Sequence, residues 1–124
     1  MSEKQVLNKI SEDLIRIEAR EATLKVPGVN HLNDSIADNI SKIIVGKDTS
    51  ANGIKISKNK EDMFVIDISI VADYGCNIPQ LAFDIQSTVK DKVSKAIKQE
   101  IGAVNIHIEG VVLPNKNTIK QEIL

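Results

Sequence analysis

The stretch from Tyr74 to Val112 constrains the fold most, because it runs from a turn through a long amphipathic helix into a strand. In its helical part, apolar residues recur every three or four positions along one face. They are Ile78, Leu81, Ala82, Ile85, Val89, Val93, Ala96, Ile97 and Ile101. A stripe this continuous must be buried against another element, and the neighbouring strand patterns predict that this element is a sheet.

Both ends of this helix carry sequence signals. Asn77 is a suitable N-cap, and Pro79 falls in the first turn, where a proline costs no helical hydrogen bond. Gly102 is expected to end the helix, because glycine readily adopts the left-handed conformation found at helix C-termini. The predicted helix therefore extends from Ile78 to Ile101.

The strands around this helix alternate apolar and polar residues with a period of two. Short and long strands are predicted at Ile54–Ser57 and Met63–Ala72, and the polar turn at Lys58–Asp62 makes them an antiparallel hairpin. Phe64, Ile66, Ile68 and Ile70 should share the inner side of the longer strand. After the helix, Val104, Ile106 and Ile108 point inward. A right-handed crossover then places this last strand parallel to the longer strand.

The N-terminal half is predicted to begin with a helix capped by Ser11, running to about Lys25 and ended by Pro27-Gly28. Residues 1–10 are expected to form a short strand or a packing arm, and residues 29–32 a short strand. Further on, Ser35 is a candidate cap for a short helix, whose apolar face would be Ile36, Ile40, Ile43 and Ile44. Residues 48–53 read as a loop.

These elements predict an α+β fold with two layers. The sheet should be small, open and mixed, with an antiparallel hairpin, a parallel strand after a crossover helix, and helices on one face. Its length of 124 residues suits a single domain over residues 1–113. Residues 114–124 are expected to be a flexible tail or a short docking helix.

Composition argues against several function classes. The net charge of −1 gives no broad attraction for nucleic acid, and two Phe and one Tyr offer few stacking platforms. We find no apolar signal core and no run long enough for a membrane span, so we expect neither export by that route nor direct membrane insertion. A single cysteine, Cys76, excludes an intramolecular disulfide and suits a reducing compartment.

Candidate site residues lie on the polar side of two predicted neighbouring strands. They are Asp67, Ser69, Asn105, His107 and Glu109. A metal or acid–base cluster is conceivable there, but an open sheet face is poorly suited to excluding water. We therefore expect a solvated face or a surface for a protein partner, with no catalytic, cofactor-binding or metal-binding residues.

Cys76 has two readings. It could be an exposed thiol at the helix N-terminus, where the helix dipole would favour the thiolate. Catalysis would also need a base, and only His31 and His107 could supply an imidazole. No motif links these three residues, so an ordinary loop cysteine is the favoured reading.

A family resemblance is carried by the combination of Tyr74-Gly75, Ile78-Pro79 and Ile85-Gln86, followed by Gly102 and Gly110-Val111. Together these residues resemble the alkaline-shock protein family, also called the Gls-type general stress or envelope stress response family of Gram-positive bacteria. Pro27-Gly28-Val29 and Gly53-Ile54 also fit, so the resemblance covers nearly residues 5–113.

The resemblance implies a non-enzymatic cytosolic protein without a cofactor. Such a protein would act as an interaction or scaffold protein of the stress response, by self-assembly or by binding a membrane-embedded partner at the inner face of the membrane. The alternative function that the resemblance implies is a regulator associated with fatty-acid synthesis. An open sheet edge offers a physical route for either self-association or partner docking.

Overall fold

A computed structural model describes residues 1–33, 50–51 and 53–114. Within these ranges two helices, α1 and α2, lie on one face of a sheet of five strands, β1 to β5. In chain order the elements are α1 (Glu3–Leu24), β1 (Val29–Leu32), β2 (Ser50–Ala51), β3 (Ile54–Lys58), β4 (Phe64–Asp73), α2 (Ile78–Ile97) and β5 (Ala103–Val112). The predicted α+β class and helix placement are confirmed.

Strand β4 is the centre of the sheet. Along one side it pairs in parallel with β5, from Val65↔Ala103 to Asp73↔Val112. Along its other side it pairs antiparallel with β3 over residues 64–68 and with β1 over residues 70–72, so β3 and β1 follow each other end to end. Strand β2 pairs antiparallel with the outer side of β3. The predicted hairpin and the predicted parallel crossover strand are both confirmed.

The core lies between the helices and the inner face of the sheet. On β4, the predicted inner residues Phe64, Ile66, Ile68 and Ile70 are at most 1% exposed. Helix α2 covers them with buried residues that follow the predicted stripe: Leu81, Ile85, Val89 and Val93. Helix α1 adds Ile15, Ala19 and Ala22. Burial of a continuous apolar set is the main term that stabilises a domain of this size.

Two polar contacts fix α2 in place. At its start, Oδ1 of Asn77 accepts a hydrogen bond from the Gln80 backbone at 3.0 Å, which confirms the predicted cap. Further along, Nε2 of Gln86 donates to the carbonyl of Val104 at 3.0 Å. Because that carbonyl belongs to β5, Gln86 ties the helix directly to the strand that follows it.

The predicted start of the first helix is wrong. Helix α1 begins at Glu3, and residues 3–10 are its first turns rather than a strand or a packing arm. Ser2 and Gln5 form a capping box, in which the Ser2 hydroxyl accepts from the Gln5 N–H and the Gln5 side chain accepts from the Ser2 N–H. Ser11 therefore lies inside the helix and caps nothing. The predicted break at Pro27-Gly28 is confirmed, with Gly28 at φ +104°.

The predicted end of the second helix is also wrong. Helix α2 ends at Ile97, and Lys98 takes the left-handed cap with φ 55°. Gly102 instead starts the approach to β5: its N–H donates to the Phe64 carbonyl at 2.8 Å. A Cβ at Gly102 would lie 2.7 Å from Nδ2 of Asn59 and 3.2 Å from the Phe64 carbonyl oxygen, so these neighbours would have to shift to admit a side chain.

Part of the predicted loop over residues 48–53 forms β2, so that prediction is wrong for Ser50 and Ala51. The remaining loop prediction holds at Gly53, a turn residue with φ +77°. The helix predicted from Ser35 and the tail predicted beyond Pro114 lie outside the described residues.

Candidate interaction surface

The outer face of the sheet, opposite both helices, carries all five predicted site residues. Asp67 and Ser69 lie on β4 and are half-buried, whereas Asn105, His107 and Glu109 lie on β5 and are exposed. Their placement follows from strand alternation, because the intervening residues of both strands point into the core. The parallel register sets Asp67 beside Asn105 and Ser69 beside His107.

Three of the five residues form a hydrogen-bonded cluster. Oδ1 of Asp67 lies 3.0 Å from Nε2 of His107 and accepts from Nδ2 of Asn105 at 3.2 Å. The Asp67 side chain is 26% exposed and the His107 side chain 50% exposed, so water still reaches both. One carboxylate thus orients an amide and an imidazole on the neighbouring strand.

The other two predicted residues are not part of this cluster. Within the described residues, the side chains of Ser69 and Glu109 make no hydrogen bond or ion pair with it. Glu109 coincides with a break in register, because Ile70 pairs with Ile108 while Val71 pairs with Gly110. A bulge of this kind re-aims the side chains that follow it.

Lys55 belongs to the same face but was not among the predicted site residues. It stands opposite Asp67 on β3 and is exposed, so Asp67 lies between Lys55 and Asn105. The alternation Ile54-Lys55-Ile56 already indicated an outward side chain, but only the register could show that it flanks Asp67.

The Cys76 thiol lies on the other side of the sheet. Cys76 is partly buried, packs against the core, and lies close to Gly28. His107 is on the outer face, and His31 pairs with Val71 on that same face, where its Nδ1 lies 2.8 Å from Oδ1 of Asn30. No hydrogen bond or ion pair joins Cys76 to either imidazole in the described part of the chain. The structure therefore does not assemble a cysteine–histidine pair.

Strand β5 forms an open edge of the sheet. In the described ranges it pairs only with β4, although it is ten residues long. The Ser69 N–H and C=O bond toward β3 and β1, so alternation turns the even-numbered residues of β4 toward β5. In the parallel register of Ile66 with Val104, these residues bond to Ala103, Asn105 and His107. This leaves the backbone N–H and C=O groups of Ile106 and Ile108 directed away from the sheet. Such a row of outward backbone groups is a template for another strand.

Two features are absent from the described residues. Neither described helix is long and apolar enough to cross a bilayer. Similarly, within residues 1–33, 50–51 and 53–114 no three His, Cys, Asp or Glu side chains are grouped so that they could hold a metal ion.

Comparison with known proteins gives a family match over nearly the whole described chain. A family model of the alkaline-shock proteins, described as having a cell envelope-related function, matches residues 1–113. This finding confirms the resemblance that the sequence motifs indicated. No solved structure matches the chain significantly.

Three curated relatives from two bacterial species are similar to most of this chain, and all carry the description "uncharacterized protein". Spy1535 of Streptococcus pyogenes is 34% identical over 104 residues, covering 83% of this chain and 77% of its own length. YloU of Bacillus subtilis is 28% identical over 86% of this chain and 88% of its own length. YqhY of Bacillus subtilis is 26% identical over 87% of this chain and 78% of its own length.

Proposed function

The chain belongs to the alkaline-shock family of cell envelope-related proteins, and on that premise we propose that it is a non-enzymatic interaction protein of the envelope. It acts in the cytoplasm, at the inner face of the membrane, by docking a membrane-embedded protein partner. The docking surface consists of the open edge of β5 and the polar outer face beside it.

The open edge of β5 is the observation that carries this proposal. A partner segment in extended conformation can add to this edge as a further strand and satisfy the outward backbone groups of Ile106 and Ile108. Backbone hydrogen bonds of this kind supply affinity, while the side chains next to the edge select the partner.

The polar face supplies the selective part. The Asp67 carboxylate holds Asn105 and His107 in fixed orientations on the edge strand itself. Lys55 adds a positive charge on the other side of Asp67. Groups that are already oriented lose less side-chain entropy when a partner binds, which favours specific docking.

The openness of this face supports a non-enzymatic role. Acid–base chemistry gains most where water is excluded and charges act in a low dielectric. His107 and Asp67 instead remain accessible to solvent, and Cys76 lies on the opposite side of the sheet. Such an arrangement suits recognition better than catalysis.

The test is a pull-down from the native cell with the membrane fraction retained, using wild-type protein and two variants. Ile106→Pro removes one outward N–H and places a ring against the incoming strand, while Ile106→Ala shortens the side chain but keeps the N–H. We expect a membrane-anchored protein to be recovered with the wild type and with Ile106→Ala. Its recovery should fall at least about tenfold with Ile106→Pro, as expected for blocking the centre of an interface.

Three other outcomes count against the proposal. A partner that is retained equally by Ile106→Pro would exclude the edge of β5. Recovery of soluble enzymes of fatty-acid synthesis in place of a membrane protein would favour the alternative regulatory function. Substrate turnover by the purified protein, lost in His107→Ala, would make it an enzyme.

A further inference from the structure

Helix α1 is apolar on two faces, and the described residues cover only one of them. Its inner face, with Ile15, Ala19 and Ala22, is at most 1% exposed. A second apolar stripe, which we call the α1 seam, consists of Leu7, Ile10, Leu14, Ile17 and Leu24. These five residues are between 37% and 57% exposed. At about 100° per residue, the seam lies roughly 140° around the helix from the inner face.

The seam follows a heptad repeat. Leu7 and Leu14 occupy one heptad position and Ile10, Ile17 and Leu24 the other, with spacings of three, four, three and seven; Glu21 stands at the contact position between Ile17 and Leu24. This is the pattern of the contact positions in a two-stranded coiled coil. It extends over about 26 Å at 1.5 Å per residue. An exposed stripe with this period fits another helix better than it fits a strand or a small ligand.

The charges beside the seam distinguish between two ways of pairing it with a copy of itself. In a parallel pair, Asp13 would face Glu18 of the second copy, Arg20 would face Lys25, and the two Glu21 side chains would face each other. All three are pairs of like charge. In an antiparallel pair, Asp13 of each copy faces Arg20 of the other, which gives two pairs of opposite charge. Lys4 and Lys25, which face each other at the ends, are the like-charged pair of this arrangement, and Nζ of Lys4 lies 3.8 Å from Oδ2 of Asp62 in its own chain.

The antiparallel arrangement also matches the apolar residues. It places Leu14 against Ile17 on both sides of a twofold axis, and Leu7 against Leu24 at the two ends. One position is imperfect, because Glu21 would lie against Ile10. That carboxylate is already engaged within its own chain, since Nζ of Lys92 on α2 lies 3.5 Å from Oε2 of Glu21.

We propose that α1 binds α1 of a second copy of this chain in an antiparallel pair, with the twofold axis between Leu14 and Ile17. The same patch then serves both copies, which is the commonest symmetry of a homodimer. This inference adds a self-association surface to the proposed envelope function but does not depend on it. The seam and the edge of β5 belong to different elements, so either can fail alone.

A lipid surface is a weaker match for the seam. Residues 3–25 carry five acidic side chains (Glu3, Glu12, Asp13, Glu18, Glu21) and five basic ones (Lys4, Lys9, Arg16, Arg20, Lys25). Helices that lie on anionic membranes are rich in Lys and Arg on the polar face. The balanced charge of α1 lacks this attraction, whereas it provides complementary pairs for a second helix.

The first test measures the oligomeric state of the full-length purified protein by sedimentation equilibrium over a wide range of concentration. We expect a reversible dimer. Ile17→Lys, next to the proposed axis, should raise the dimer dissociation constant at least about tenfold, as for the loss of a central apolar contact. Phe83→Lys is the matched control, because Phe83 on α2 is 56% exposed and Ile17 is 54% exposed. The control should leave the dissociation constant unchanged.

The second test determines whether the two α1 helices pair in parallel or antiparallel. Asp13→Arg should weaken an antiparallel dimer severalfold, because the new arginine would then face Arg20 of the other copy. Adding Arg20→Asp should restore the affinity, because the two charges are then only exchanged. In a parallel dimer, Asp13→Arg would strengthen association, because the new arginine would face Glu18. That result would overturn the proposed geometry.

Three further results would overturn the proposal. One is a protein that stays monomeric at about 1 mM, a concentration at which even a dimer with a dissociation constant of about 1 mM would be detected. Another is a protein that never dimerises and whose melting temperature falls by several degrees in the Ile17→Lys variant. That result would indicate that another part of the same chain covers the seam. The third is co-sedimentation with phosphatidylglycerol vesicles that Ile17→Lys abolishes and Phe83→Lys does not.

Discussion

Nε2 of His107 on β5 lies 3.0 Å from Oδ1 of Asp67 on β4, and both side chains remain partly open to water. A pair in this position gains little stability, because solvent screens its charges and can replace either partner. We expect a double-mutant cycle with Asp67→Ala and His107→Ala to give a coupling of about 1 kcal/mol or less. Urea denaturation measures it, and a coupling above about 2 kcal/mol would mean that the pair supports the fold as well as recognition.

Gly53 should be intolerant of a side chain. It adopts φ +77°, and a Cβ there would lie 2.9 Å from the Ser69 carbonyl oxygen. The left-handed backbone alone costs an alanine about 1–2 kcal/mol, and the contact with fixed backbone adds to this. Gly53→Ala should therefore lower the free energy of unfolding by about 2 kcal/mol or more.

Gly110 provides the control for that experiment, because a Cβ there meets nothing within 4 Å. Chemical denaturation of Gly110→Ala should show a change within about 0.5 kcal/mol. Equal losses at the two positions would mean that the close approach at Gly53 does not limit the fold.

Thr23 on α1 is completely buried, and its hydroxyl makes no hydrogen bond within the described residues. A buried polar group without a partner destabilises the folded state, and valine has nearly the same shape. Thr23→Val should therefore stabilise the protein by about 1 kcal/mol, seen as a higher melting temperature. Thr88→Val, at an exposed position of α2, should change it little. A lower melting temperature for Thr23→Val would show that its hydroxyl does have a partner in solution.

The capping box at Ser2 should be measurable at the N-terminus. Ser2→Ala removes the acceptor for the Gln5 N–H and should cost about 0.5–1 kcal/mol. Ser11→Ala, inside the same helix, should be neutral or slightly stabilising, because alanine has the higher helix propensity. Thermal melts followed by circular dichroism compare the two variants. The opposite order would place the start of α1 at Ser11.

The sheet and its polar face could be predicted from the sequence because the strands here alternate strictly. Ile66, Asp67 and Ile68 already give the inner and outer sides of β4, and the crossover rule gives the parallel direction of β5. The pairing of His107 with Asp67 required more than alternation. It depends on which residues face each other across β4 and β5, and register is set by tertiary packing.

The helix ends were predicted less well, because several residues carried similar signals. Ser11, followed by Glu12 and Asp13, looks like a cap, but Ser2 with Gln5 satisfies two backbone donors and starts the helix earlier. Gly102 looks like a C-cap, but Lys98 takes the left-handed conformation, while Ile101 is buried beyond the helix. The α1 seam was not predicted from the sequence, because its first residues were predicted to precede the helix.

The central position of β4 has a consequence for how this molecule comes apart. One strand holds the backbone of β5 on one side and of β1 and β3 on the other, so none of these pairings survives its loss. Opening that exposes every amide of β4 to deuterium from the solvent must therefore disrupt the whole sheet at once. The amides of Val65, which faces β3, and of Ile66, which faces β5, thus exchange together only through global unfolding, whereas the free side of β5 can associate and dissociate without disturbing them.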